Sequence, residues 1–157
     1  MQTFLPSANA TFAAQALDNK RLNKQILEGY QILNVLSGNS PTKAWRNHPA
    51  VLMWKGHEGA LLEYINEMIS EAKHRGIKTE NNEANIKRIS SPTWNTEKPN
   101  WMRDKKTLGR IVATHRANLY RKDPIYYAEY AVAVNHELNK PCCEKCQYYW
   151  PTHPKSK

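Results

Sequence analysis

The segment RLNKQILEGYQIL, residues 21–33, carries Arg21, Lys24, Glu28 and Gln31 at spacings of three, four and three. On a helix that spacing makes one stripe, with Leu22, Ile26 and Leu33 on the apolar side. One acid in a basic, amide-bearing stripe has two uses. It can be a surface ion pair between Lys24 and Glu28, which contributes little energy. It can instead be a catalytic carboxylate beside a polyanion, with Arg21 and Lys24 holding phosphates one turn away. A second group, Arg46, Asn47 and His48, forms a polar loop flanked by aromatics. His48 suits a phosphate contact or acid–base work, or it orders the loop as a cap. The third group is CCEKC. Cys142, Cys143 and Cys146 with one histidine, His136 or His153, would suffice for zinc, but a second CxxC is lacking. Reduced thiols in a tail, with no metal, are the expectation.

Lys plus Arg number 23 and Asp plus Glu 14 in 157 residues, a net charge of +9. The surplus is local: Lys98 to Lys122 holds eight basic residues and one acid, Asp104. Such a stretch suits a polyanion, nucleic acid first. The bland alternative is a basic, soluble surface. No apolar run approaches the roughly 20 residues of a membrane span. The start MQTFLPSANA lacks the basic and apolar regions of a secretory signal. A cytoplasmic, monomeric protein without a membrane partner is expected, with its cysteines kept reduced.

The elements that must position these groups read as helical, with no convincing period-two segment. A first long helix is expected from an N-cap at Asp18 to about Leu36, stopped by Ser37-Gly38-Asn39-Ser40-Pro41. A loop then leads to a short helix near Pro49. A second long helix covers about Glu58 to Arg75, ended by basic residues and Gly76. A short helix at 80–89 precedes a Trp94 loop between Pro92 and Pro99. A third long helix covers about Arg103 to Arg121, with Leu108, Ile111, Val112, His115 and Leu119 inside and Lys106, Arg110 and Arg121 outside. DPIYYAEY makes an aromatic turn, and residues 141–157 an irregular tail of the same single domain. The fold class is mostly α, built around three long helices. Trp45, Trp54 and Trp101 are expected as core or rim aromatics.

Three segments together resemble the pyrimidine-dimer DNA glycosylase (phage endonuclease V) family. RLNKQILE aligns with the family's first-helix segment ending in its catalytic glutamate. HPAVLMWKGHEGALLEYINEMISEAKHRGI, residues 48–77, matches a Gly-His step and the helix after it. THRANLYRKDPIYY, residues 114–127, resembles its basic helix running into Pro and aromatics. The similarity is greatest to a subgroup that opens MQTFLP and carries Lys20-Arg21-Leu22, Lys24-Gln25 and the run from Trp45 to Gly56.

The resemblance implies an endonuclease V-like fold and a DNA glycosylase acting on damaged or modified pyrimidines in duplex DNA. No cofactor is implied. An unprotonated amine attacks the sugar C1′, the base leaves, and the resulting imine permits β-elimination, the AP-lyase step. An α-amine, near pKa 7.7–8.0, suits this better than a lysine near 10.4. The family uses its N-terminal amine, and its founding member exposes Thr after losing the initiator Met. Here residue 2 is Gln, which disfavours that loss. The nucleophile is then the Met1 amine, Gln2 after processing, or a lysine such as Lys20 or Lys24. Met1 is preferred. Glu28 would stabilise charge on the sugar and shuttle protons. Arg21, Lys24, Arg46, His48, His57, Arg110, Arg116 and Arg121 would hold DNA, which must be kinked or have a base extruded. Two other readings stay open: an N-glycosidase on a hypermodified base, RNA or a free nucleotide, and a DNA-binding protein that has lost the chemistry.

Overall fold

A computed structural model describes residues 1–153. The last four tail residues, 154–157, lie outside the described residues. Eight α-helices occur among the described residues: α1 Ala10–Ala16, α2 Asn19–Leu36, α3 Pro49–Leu52, α4 Glu58–His74, α5 Glu80–Ile89, α6 Asn100–Arg103, α7 Lys105–Lys122 and α8 Ala131–Val134, with a 3₁₀ turn at Ala128–Tyr130 before the last. The three long helices are α2, α4 and α7, and no strand occurs among the described residues.

The helix ends follow local chemistry. Pro49 opens α3, where its missing N–H costs nothing, and His48 Nδ1 accepts from the Ala50 N–H at 3.1 Å. Asp104 caps α7 by accepting from the Thr107 N–H, so the helix begins at Lys105 and Arg103 falls in α6. Gly76 follows α4 at φ +78°, a turn that favours glycine. Asp18 precedes α2 but makes no side-chain cap. Its carboxylate pairs with Arg21 at 3.1 Å and accepts from the Tyr127 hydroxyl at 2.5 Å. Burial would raise the Asp18 carboxyl, but these two hydrogen bonds outweigh it and hold it below the usual range. Helix α1 escapes the sequence reading because it is only seven residues long. Asn9 caps it by accepting from the Phe12 N–H at 3.0 Å.

Helix α2 packs on α3, α4 and α5, α1 packs on α4, and α7 packs on α6 and α8. At Gly29 the α2–α4 approach is so close that an added Cβ would lie 2.6 Å from Ile65 Cγ1. The long helices meet around residues 1–6, an extended segment in the core. Thr3, Phe4 and Leu5 are fully buried. Such backbone must find partners. The buried Gln25 side chain of α2 accepts from the Phe4 N–H at 2.5 Å and donates to Gln2 O at 3.1 Å. The Tyr64 hydroxyl of α4 donates to Phe4 O, and the Trp54 indole donates to Thr3 Oγ1 at 3.1 Å. From α7, His115 Nδ1 accepts from the Leu5 N–H at 2.8 Å and Arg116 Nε donates to Pro6 O at 2.5 Å.

His115 is completely buried, and burial with the nearby Lys122 charge brings its pKa down to about 3. The unfolded chain takes up this proton near pH 6.5, whereas the folded chain does not. Stability should therefore fall as pH drops from 6.5 towards 3, by up to ~1.4 kcal/mol per pH unit. Urea midpoints across that range should show the slope, and His115→Gln, which keeps an acceptor for Leu5, should flatten it. A midpoint that changes equally with pH in both proteins would refute this.

Candidate active site

The buried segment ends with its first nitrogen beside α2. The Met1 nitrogen lies 3.9 Å from Glu28 Oε1, and Lys24 Nζ lies 3.9 Å from the same oxygen. Both members of the Met1–Glu28 pair are shielded, with 5% and 12% of their side chains exposed, whereas Lys24 is half exposed. The Gln2 backbone N–H adds a smaller favourable influence on the Glu28 carboxylate. The other carboxylate oxygen, Oε2, is buried without a hydrogen-bond partner. Such an atom is costly to keep unless it has a use.

Burial pushes the Glu28 carboxyl up. Lys24, the N-terminal amine, Lys122 and the Gln2 N–H pull it down, and the balance remains above the ordinary value. Opposite it, burial and the Arg21 charge lower Lys122 despite the pull of Glu28. Lys122 Nζ donates to the Tyr148 hydroxyl at 3.0 Å and lies 5.4 Å from the centre of the Phe4 ring. Tyr148 is pushed up to about 12, chiefly by burial. The site thus holds one carboxylate under the influence of three cations: the amine, Lys24 and Lys122.

A cleft of about 360 Å³ opens onto the pair, lined by Met1, Glu28, Gln31, Asn34, Val35, Ser40 and Trp45. Val35 and Ser40 also line a larger groove of about 750 Å³ that carries Lys43, Arg46 and Lys55. Trp45 is half exposed and sits at φ +69°, a left-handed conformation unusual for a bulky residue. Its ring packs edge-on against His48 at 5.5 Å. Trp54 and Trp101 are core residues. His48 serves as the α3 cap, and burial plus the N-terminal charge lower its pKa. Accepting through Nδ1 leaves the proton of its neutral ring on Nε2.

The other sequence-selected cations divide. Arg46 is exposed in the groove. Arg121 is exposed beside Lys122, Asn118 and Gln147 in a separate pocket. Arg21 is held by Asp18. Arg110 donates to Lys140 O at 3.1 Å and lies 3.9 Å over the Tyr149 ring, holding the tail. Arg116 holds Pro6 O. His57 Nδ1 lies 2.7 Å from Glu97 O and ties down the following loop. Arg21, Arg110, Arg116 and His57 are thus engaged in protein contacts. Sequence reading missed Lys122, Tyr148 and Gln25. For Gln25 there was a signal, since it falls on the buried stripe with Leu22, Ile26, Gly29 and Leu33.

The arrangement is an amine held against an under-solvated carboxylate, in a cleft joined to a basic groove. The family model for pyrimidine dimer DNA glycosylase matches residues 1–85, and the chain belongs to that family. The match takes in the whole Met1–Glu28–Trp45 cleft and ends within α5, before α7 and the tail. Neither curated proteins nor solved structures gave a match. Membership makes DNA the substrate polymer. No helix among the described residues is long and apolar enough to cross a membrane.

Because the folded pKa of Glu28 exceeds its unfolded value, its ionised form weakens the fold at any pH above both. Glu28→Gln imitates the protonated acid. Its melting temperature should exceed that of wild type at pH 8, with the difference vanishing below about pH 4.5. Equal melting temperatures across that range would remove the claim that the carboxylate is held at a cost.

Proposed function

We propose that this chain removes damaged or modified pyrimidines from duplex DNA by way of an imine, and then cuts the strand by β-elimination. The observation that carries this reading is the Met1 nitrogen 3.9 Å from Glu28, whose second oxygen is buried and unpartnered. The unprotonated Met1 amine attacks C1′ of the sugar, the C1′–N bond breaks, and the base departs with its bonding electrons and takes up a proton. Loss of the amine proton and opening of the sugar give the imine. Glu28 faces the developing positive charge and carries protons between amine, ring oxygen and C2′. Its raised pKa suits a group that must both hold and release a proton. Removal of the C2′ proton expels the 3′ phosphate, and water then hydrolyses the imine to free the amine.

The arrangement tolerates either N-terminus. With Met1 present, its amine meets Glu28; without it, the Gln2 nitrogen is the next backbone nitrogen to act on the same carboxylate. Lys122 supports a second assignment of the nucleophile, because its amine is depressed and interacts with Glu28. Trp45 is the natural plate for an extruded base, being exposed, at the cleft, and fixed in an uncommon backbone state. Lys24, Lys43, Arg46 and Lys55 supply phosphate contacts along the adjoining groove.

Borohydride trapping tests the reading. Duplexes carrying one cyclobutane thymine dimer or one abasic site should give a covalent adduct that peptide mass spectrometry maps to the Met1 α-amine. Glu28→Gln should reduce the trapping rate at least ~100-fold, the scale of a lost acid–base catalyst. An adduct on Lys122 would move the nucleophile and keep the chemistry. No adduct, with dimer-free base release from another nucleotide, would favour an N-glycosidase of different substrate; tight binding without release would leave a DNA-binding protein. Trp45→Ala should weaken dimer binding more than abasic-site binding, by ~1–3 kcal/mol for a lost stack. Equal losses on both DNAs would exclude the stacking role.

A further inference from the structure

The tail carries a feature that the glycosidic chemistry does not use. Cys143 and Cys146 close a turn in which the Cys146 N–H donates to Cys143 O at 3.0 Å. Their sulfurs lie 3.2 Å apart, and His153 Nε2 lies 3.5 Å from Cys146 Sγ. All three ligand atoms fall within 4.8 Å of one another. A disulfide requires about 2.05 Å between sulfurs. A tetrahedral zinc, with about 2.3 Å to sulfur and 2.0–2.1 Å to nitrogen, separates neighbouring ligands by roughly 3.5–3.8 Å. The Cys146–His153 separation matches such an edge, the Cys143–Cys146 separation is about half an ångström shorter than one and well beyond a disulfide bond, and two thiolates with an imidazole select zinc over magnesium or calcium.

The other two candidates from the sequence are placed elsewhere. Cys142 is buried, and its sulfur accepts from the Trp150 N–H at 2.6 Å. His136 Nδ1 accepts from the Leu138 N–H at 3.1 Å. Neither joins the group.

The loop closed by these three ligands, residues 143–153, is the strip of tail that covers α7. Gln147 O accepts from Asn118, and the Tyr149 N–H donates to Thr114 Oγ1 at 3.2 Å. Tyr148 receives Lys122, and the Trp150 ring meets His115 at 5.7 Å and His48 at 6.2 Å. This strip has no helix or strand of its own. A metal that binds only the folded arrangement adds its binding free energy to that arrangement.

We propose that Cys143, Cys146 and His153 bind one Zn²⁺, and that the ion fixes the tail over α7 and the Lys122 side of the site. The assignment stands independently of the reaction proposed above. The test uses the full chain, purified under reducing conditions from zinc-supplemented culture and passed over a desalting column. Elemental analysis should give one zinc per chain. Cys143→Ser and Cys146→Ser should lose it while keeping helical circular dichroism, and Cys142→Ser should keep it. Cobalt substitution should give a charge-transfer band of two-thiolate intensity. Chelation should make residues 141–153 cleavable in limited proteolysis with the helices still resistant. Wild type holding no more zinc than the Cys143→Ser/Cys146→Ser double variant would overturn the site. A three-thiolate cobalt spectrum would overturn this ligand set.

Discussion

The structure depends on satisfying the backbone of six residues. Residues 1–6 run extended through a helical interior, where there is no neighbouring strand to pair with. Their polar groups would each cost about 1–3 kcal/mol if left unpaired. Side chains do the work of a sheet. Gln25 supplies both an acceptor and a donor, Tyr64 and Arg116 donate to carbonyls, and His115 accepts. Since these groups come from α2, α4 and α7, the same bonds that satisfy the segment also hold the three long helices together. Held in this registration, the segment brings the α-amine to Glu28.

That registration explains why the site can sustain an electrostatic arrangement that a flexible terminus could not. The Glu28 carboxylate is drawn partly out of water and keeps one oxygen unpartnered. Three cationic groups around it limit the penalty without removing it. A partner for the second oxygen would have lowered that penalty further. The neutral His48 beside the amine avoids adding a fourth charge.

Much of this was legible in the residues. The three long helices follow from their apolar period and their stop signals, because amphipathic stripes of that length have no competing reading, although Asp18 makes no side-chain cap. Glu28 stood out as the acid in a basic stripe, although the family resemblance was needed to prefer chemistry over an ion pair. The arginines of α7 were less transparent. Composition registers them as charge, but Arg110 and Arg116 lie against the rings of Tyr149 and Tyr130 and bond backbone carbonyls 30 and 110 residues away. Lys122 was hidden for the same reason, as its altered proton affinity arises from burial beneath Tyr148 and Phe4. Helix periodicity reports which face is inside, and says nothing of which distant segment lies there.

The contact between Leu5 and His115 joins residues 110 positions apart. During synthesis the first six residues emerge long before the helix that receives them, and long-range contacts form late because loop closure must precede them. Residues 1–6 are thus placed only once α7 is there to receive them. Until α7 is in place, the Leu5 N–H and the Pro6 carbonyl lack the partners that His115 and Arg116 supply. The Met1–Glu28 pair therefore depends on a helix more than a hundred residues along the chain, beyond the stretch that the family model matches.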